Sequence, residues 1–194
     1  MAVSYASPRD FVEVPKEKAK NKFTYRKVDE RPYGGGPGMV MAALPVVKAA
    51  KKSLGRNKGK TALVWFQPGA KAFDNKEADA LAKFQNVVLV CGRYEGIDER
   101  AKKILKTMGT LKTYSVGEAV YTGGEVPAMA IVDAVTRRLP GVLGKDESVE
   151  ERRVASRAVY TRPDTIVWEK KKYGVPKVLK TGNHAKIEGW KKGK

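Results

Sequence analysis

The sequence predicts an α/β domain with a mainly parallel sheet flanked by helices. Two short β-branched apolar runs, Thr61-Ala62-Leu63-Val64-Trp65-Phe66 and Asn86 to Cys91, read as strands. Segments of helical period alternate with them, and strand–helix alternation is the pattern of a parallel sheet. Each strand also ends in a glycine turn, at Pro68-Gly69 and at Gly92-Arg93-Tyr94-Glu95-Gly96.

The elements follow in order. Pro45 is placed to start a helix through Val46, Val47, Ala49 and Ala50. After the strand at Thr61, Asp74 suits an N-cap for a helix through Ala78, Leu81 and Ala82. The run from Asn86 to Cys91 is continuously apolar, as in a strand buried on both faces. A helix follows from about Asp98 to Thr107, and a third apolar segment, Val116 to Tyr121, ends at Gly123-Gly124. Pro127 sits at a first helical position, leading a helix whose apolar face is Ala128, Ile131, Val132 and Val135. Asp133 and Arg137, four apart, share another face. Ligands of such sheets bind outside the carboxyl ends of the strands, where these turns lie, so one pocket is expected there.

Composition narrows the chemistry. The 194 residues, 42% of them hydrophobic, suffice for one domain with a real core. One cysteine, Cys91, excludes a disulfide framework and a cysteine zinc site. One histidine, His184, argues against a His-based metal site or a Ser-His-Asp triad; in its Gly182-Asn183-His184 turn it reads as structural. No run approaches a membrane span and no apolar leader opens the chain, so a cytoplasmic protein with no membrane partner is expected. Net charge is +18, which points to a polyanionic partner. The charge concentrates at 16–27, at 48–60 and at 170–194, where nine lysines face one acid, Glu188. Trp168, Tyr173 and Trp190 stand in or beside that last block, and aromatic residues among lysines suit stacking on unpaired bases.

A glycine-rich run, Asp29-Glu30-Arg31-Pro32-Tyr33-Gly34-Gly35-Gly36-Pro37-Gly38-Met39, precedes the sheet. It lacks the Gly-Lys-Ser/Thr of a P-loop, and no strand leads into it as a dinucleotide fingerprint requires. Phosphate cradling is therefore weakly supported. Glycine turns bearing Tyr94, Glu95 and Glu125 suit a nucleoside-type ligand, with backbone groups reading an adenine edge and acids accepting from hydroxyls or an amine.

That run resembles the signature loop of the bacterial tRNA (guanine-N1)-methyltransferases, members of the trefoil-knotted SPOUT class. Val90-Cys91-Gly92-Arg93-Tyr94-Glu95-Gly96-Ile97-Asp98-Glu99-Arg100 is similar to a second family motif. Ser115-Val116-Gly117-Glu118 through Thr122-Gly123-Gly124-Glu125-Val126-Pro127-Ala128-Met129 is similar to a third. Leu139-Pro140-Gly141-Val142-Leu143-Gly144, Tyr160-Thr161-Arg162-Pro163 and Gly182-Asn183-His184 extend the resemblance, in order, over nearly the whole chain.

The resemblance implies methyl transfer from S-adenosylmethionine to N1 of guanosine 37 of tRNA, beside the anticodon. It implies an α/β domain with a C-terminal knot, a homodimer whose partner completes each cofactor pocket, and magnesium as a further cofactor. The cofactor would lie among Pro68, Gly92, Tyr94, Glu95, Gly96, Ser115, Val116, Gly117, Tyr121, Gly123, Gly124 and Pro127. The substrate guanosine would face Arg31, Tyr33, Gly34, Gly35, Gly36, Pro37, Gly38 and Asp133, with no resident metal site. N1 of guanine carries a proton, so a base must remove it, and charge then develops toward O6. Arg137 matches the family's catalytic arginine. The family's catalytic aspartate falls in a linker that is shorter here, where Arg152 takes its place in an ungapped count. Glu151 is the expected base, with Glu150 and Asp146 as alternatives. Ala119 stands where the family often has tyrosine, and Tyr121 is the expected substitute.

The expected domains are 1–144 for the methyltransferase, 145–163 for a charged linker, and 164–194 for a short basic tail related to the family's tRNA-binding domain. The family's first strand and helix, before the stretch beginning at Val3, find no match. Two alternatives stay open: a catalytically weak RNA-binding protein of SPOUT type, and a SPOUT methyltransferase acting on ribosomal RNA.

Overall fold

The central strand of the sheet is buried from both sides, and the two halves of the core follow from that. In the computed structural model, which describes residues 2–14, 24–55, 59–142 and 158–192, contacts divide the chain into two units, Met1–Leu139 and Pro140–Lys194.

In the first unit, a 3-10 turn at Pro8–Phe11 precedes a two-residue antiparallel pair, β1 (Asp29–Glu30) with β2 (Val40–Met41). Helix α1 (Ala43–Leu54) leads to β3 (Thr61–Phe66); α2 (Asn75–Leu81) leads to β4 (Asn86–Val90). Helix α3 (Arg100–Leu105) leads to β5 (Thr110–Tyr114), and α4 (Glu125–Thr136) follows. The sheet is parallel, in the order β4-β3-β5.

Residues alternate across a strand, and β3 uses both of its faces. Leu63 and Trp65 pack with Val46, Val47 and Ala50 of α1 and with Ala101 and Leu105 of α3. Ala62 and Val64 pack on the other side with Leu81 of α2, Tyr114 and Ile131 of α4. The helices after β3 and β4 therefore leave to opposite faces of the sheet. Such a reversal marks the carboxyl ends of these strands as the place where α/β sheets bind ligands.

Three sequence expectations shift. The continuous apolar run at Asn86 suggests a strand buried on both faces, yet β4 lies at the sheet edge and Val87 is exposed; the doubly covered strand is β3. The third strand is Thr110–Tyr114, not the apolar segment after it, because residues 116–121 form a loop. Helices α1 and α4 begin at Ala43 and Glu125, two residues ahead of Pro45 and Pro127. A first-turn proline is tolerated because the N–H groups there have no helical acceptor.

Two polar ties fix the helices. Arg138, its side chain only 3% exposed, donates from Nε to Asp79 Oδ1 (2.9 Å) and from Nη2 to Asn75 Oδ1 (2.7 Å). It thereby joins the end of α4 to α2. The Tyr114 hydroxyl donates to the Glu77 carboxylate, which also pairs with Lys71. Lys71, then Tyr114, holds the Glu77 carboxyl below the usual carboxylate range, while burial and Glu77 push the Tyr114 phenol up.

The second unit is built differently. A hairpin pairs β6 (Thr165–Trp168) with β7 (Lys171–Gly174), a 3-10 turn spans Lys177–Lys180, and α5 (His184–Lys191) follows. None of these elements has a buried residue, as the lysine-rich composition requires.

Because Glu77's value is lowered on folding, its contribution is complete above pH 4.5 and is lost as pH falls through the lowered value. Glu77→Gln is therefore expected to flatten the acid side of the stability curve. Urea midpoints at pH 7 and pH 3.5 should differ less than in the unsubstituted protein; an unchanged difference would remove Glu77 from the account.

Candidate active site

The glycine turns are stitched together by backbone hydrogen bonds at the carboxyl end of the sheet. Gly124 N–H donates to Gly92 O at 2.8 Å, and Arg93 and Gly123 form an antiparallel bridge. Arg93 also donates from Nε to Glu125 Oε1 at 3.0 Å, so the turn after β4 is held to the start of α4 twice. On its other side that turn meets the glycine-rich run: Glu95 N–H donates to Met39 O at 3.1 Å, and Met41 N–H to Gly96 O at 2.9 Å. The turn after β3 joins through β5. Ser115 N–H donates to Lys71 O, and Phe73 N–H to Ser115 O, each at 2.9 Å.

Glycine is required at two of these joints. A Cβ on Gly124 would lie 2.7 Å from Cys91 Cα and 3.1 Å from Gly92 N, both backbone atoms that cannot swing aside. Gly38 takes φ +81°, and a Cβ there would lie 2.5 Å from Glu95 Oε1. Tyr94 takes φ 59° without being glycine. Such backbone costs of order 1–3 kcal/mol and collects at functional sites.

The expected site residues divide into groups. Gly92, Tyr94, Glu95, Gly96, Gly123 and Gly124 come together around the Arg93–Gly123 bridge. Ser115 sits on the strand side of the following loop, its hydroxyl donating to Gly117 O at 2.8 Å; Val116 is half-buried, and Gly117 and Tyr121 are exposed. Pro68 is exposed in the turn after β3, while Pro127 is buried in the first turn of α4. Arg31, Tyr33, Gly34, Gly35, Gly36 and Pro37 form an exposed loop, anchored at Gly38 and Met39. Asp133 and Arg137 sit toward the other end of α4, about 13 Å and about 20 Å along the helix from Gly124 at 1.5 Å per residue. Among the described residues no ion pair joins these two, although they are four apart, whereas neighbouring Arg138 is committed to Asp79. Glu150, Glu151 and Asp146 lie outside the described residues.

Asp29, which opens the glycine-rich run, is a residue that sequence reasoning did not single out. It is the buried charged residue of the described core, and its Oδ1 has no hydrogen-bond partner there. A buried unpaired carboxylate oxygen is costly, and its place at the root of the glycine-rich loop is the signal. Cys91, between β4 and Gly92, has its thiol pushed up to about 11 by burial first and Glu125 second, which disfavours the thiolate at neutral pH.

A Cβ at Gly96 or Gly117 would meet nothing within 4 Å, so the turns approach open space with bare backbone. The described residues hold no group of three His, Cys, Asp or Glu side chains that fits a metal.

A parallel sheet with glycine loops joined at its carboxyl edge has the architecture of an α/β ligand-binding domain. The family described as tRNA (Guanine-1)-methyltransferase TrmD matches residues 3–194, and the chain belongs to it. A tRNA (guanine-N(1)-)-methyltransferase of Photobacterium profundum is 40% identical over 198 residues, covering 98% of this chain and 72% of that one. That of Vibrio cholerae is 38% identical over 195 residues with the same coverage. That of Thermomicrobium roseum is 40% identical over 171 residues, 87% of this chain and 61% of its own.

Gly124→Ala is expected to destabilise the protein by about 2 kcal/mol, because the Cβ must displace backbone in a packed site. Urea unfolding measures it; a change under about 0.5 kcal/mol would show that the joint is slack.

Proposed function

We propose that this chain transfers a methyl group from S-adenosylmethionine to N1 of guanosine 37 of tRNA. The observation that carries this reading is the stitching of three family-type glycine loops into one crevice by the Gly124–Gly92, Glu95–Met39 and Met41–Gly96 bonds. Membership of the family and the net charge of +18, which suits RNA, support it.

Bound in the crevice, S-adenosylmethionine supplies a methyl group on a positively charged sulfur. The chain's own residues do the rest. Backbone groups of Gly92, Tyr94, Gly96, Ser115, Val116 and Gly117, with Tyr121, hold the cofactor, while Pro68, Glu95, Gly123, Gly124 and Pro127 shape its rim. The loop from Arg31 to Gly38 and Asp133 receive the guanine. A carboxylate, Glu151 in the first instance and Glu150 or Asp146 otherwise, takes the N1 proton. Arg137 faces the charge that grows on O6.

A homodimer belongs to the same reading. Arg137 stands about 20 Å along α4 from the glycine turns, so a second copy is the natural source of an arginine for each crevice. Val126, Met129 and Val132, at helical spacing on α4, leave an exposed apolar stripe of the kind that marks an interface. The C-terminal knot of SPOUT proteins is part of the proposal. So is a cytoplasmic location, where tRNA is found; no helix among the described residues is long and apolar enough to cross a membrane. Magnesium, the other cofactor implied by the resemblance, is assigned no residues.

Methyl transfer to an unmodified tRNA transcript with guanosine at position 37 tests the reading. Arg137→Ala should lower turnover about a hundredfold or more, the scale for one stabilising donor, while S-adenosylmethionine affinity and stability persist. Arg138→Ala should instead lower stability, since its ties to Asp79 and Asn75 are structural. Glu151→Gln should be slow. No transfer by the unsubstituted protein while it binds the transcript would favour the RNA-binding alternative, and transfer that persists without guanosine 37 would favour another RNA substrate.

A further inference from the structure

The hairpin of the second unit has two uncovered faces, and they differ. The register pairs Ile166 with Tyr173 and Trp168 with Lys171, so these four side chains share one face. Trp168 is 67% exposed, Ile166 57% and Tyr173 46%. Lys171 Nζ lies 5.7 Å from the centre of the Tyr173 ring. The other face carries Thr165, Val167, Lys172 and Gly174. A two-residue turn joins the strands, with Glu169 at φ 49° and Lys170 at φ 65°, the backbone of the tight hairpin turn that fits strand twist. Trp190, by contrast, packs on Tyr160, with ring centroids 6.1 Å apart. The three aromatics of the basic segment are thus not equivalent: one is used inside the unit and two are presented.

Exposed tryptophan and tyrosine on a solvent-facing two-stranded sheet need an occupant. Charge selects it. Residues 158–192 carry nine lysines and arginines against three acids, and one of those acids, Asp164, is paired with Lys180 at 3.1 Å. Lys170, Lys171 and Lys172 follow one another through the turn and into β7. A protein groove or a lipid tail would match the aromatics but not the cations, whereas unpaired nucleotides match both. Bases stack on aromatic planes while lysines track the phosphates.

We infer that the Thr165–Gly174 hairpin is a stacking platform for unpaired nucleotides of RNA, with Trp168 and Tyr173 receiving bases and Lys170 in the turn and Lys171 on the same face holding the backbone. It deepens the proposed function, resting on RNA as the substrate class, and adds a binding site separate in sequence from the glycine loops. The platform reads unpaired bases without sequence preference, since every base has a stacking face.

The test uses the full chain with two probes, fluorescein-labelled oligouridine of twelve nucleotides and the unmodified tRNA transcript. The double substitution Trp168→Ala with Tyr173→Ala should weaken oligouridine binding by about tenfold or more and leave S-adenosylmethionine affinity unchanged. Changing Lys170 and Lys171 to Gln should reduce the salt dependence of log K by about 1.4, the slope for two phosphate contacts on a single strand. Quenching of tryptophan fluorescence by oligouridine should disappear in Trp168→Phe, which keeps the sheet intact should the double variant fail to fold. Oligouridine affinity and quenching that survive these changes would overturn the platform. So would an unchanged affinity accompanied by a shift in sedimentation, which would make the face a contact between proteins. The two readings fail separately: absent methyl transfer with hairpin-dependent RNA binding defeats the enzyme assignment alone, and methyl transfer with hairpin-independent binding defeats the platform alone.

Discussion

The peptide group of Gly124 is where the site is made or lost. Its N–H donates to Gly92 O, its α-carbon sits against Cys91, and it stands immediately before α4. One residue therefore joins the carboxyl end of β4 to the amino end of the helix that carries Asp133 and Arg137. No side chain fits there, so the closeness of the two loops depends on having no Cβ at 124. Everything proposed of the crevice depends on that joint, because the turn after β4 also anchors the glycine-rich run through Glu95 and Gly96.

Behind the joint is a sheet of three strands whose middle member supplies both halves of the core. Leu63 and Trp65 face one pair of helices, Ala62 and Val64 the other. Neither face of β3 is left for water, so its loops are displayed from a rigid base while they themselves remain exposed. Polar ties at Arg138 and at Glu77 fasten α2, the first to the end of α4 and the second to the end of β5. The division separates residues that hold the fold from residues free to meet a ligand. Two adjacent arginines illustrate it: Arg138 is bound into the fold by Asp79 and Asn75, while among the described residues no ion pair holds Arg137.

Much of this was legible in residue types. The turns at Gly69 and Gly92 could be found and grouped because they follow strands, and the carboxyl edge of a parallel sheet is one place. β3 was legible from its β-branched run. Its position in the middle was not, because Asn86–Val90 is just as apolar, and local pattern does not say which strand has neighbours on both sides. β5 was hidden by Thr110, Lys112 and Thr113, polar residues that an edge strand accommodates. The apolar residues at Val116, Val120 and Tyr121 drew attention to the loop that follows it. The hairpin escaped notice because its turn, Glu169-Lys170, takes left-handed backbone without the glycine or asparagine that usually announces it. Asp29 was visible as part of a motif, but its buried, unpaired oxygen is a property of the folded chain alone.

Backbone hydrogen exchange with and without S-adenosylmethionine tests the central claim most directly, that the stitched glycine loops form one cofactor crevice. The account predicts slowed exchange at 92–96 and at 116–122, with the hairpin at 165–174 unaffected. Unchanged exchange at both loops, with protection confined to another part of the chain, would contradict it.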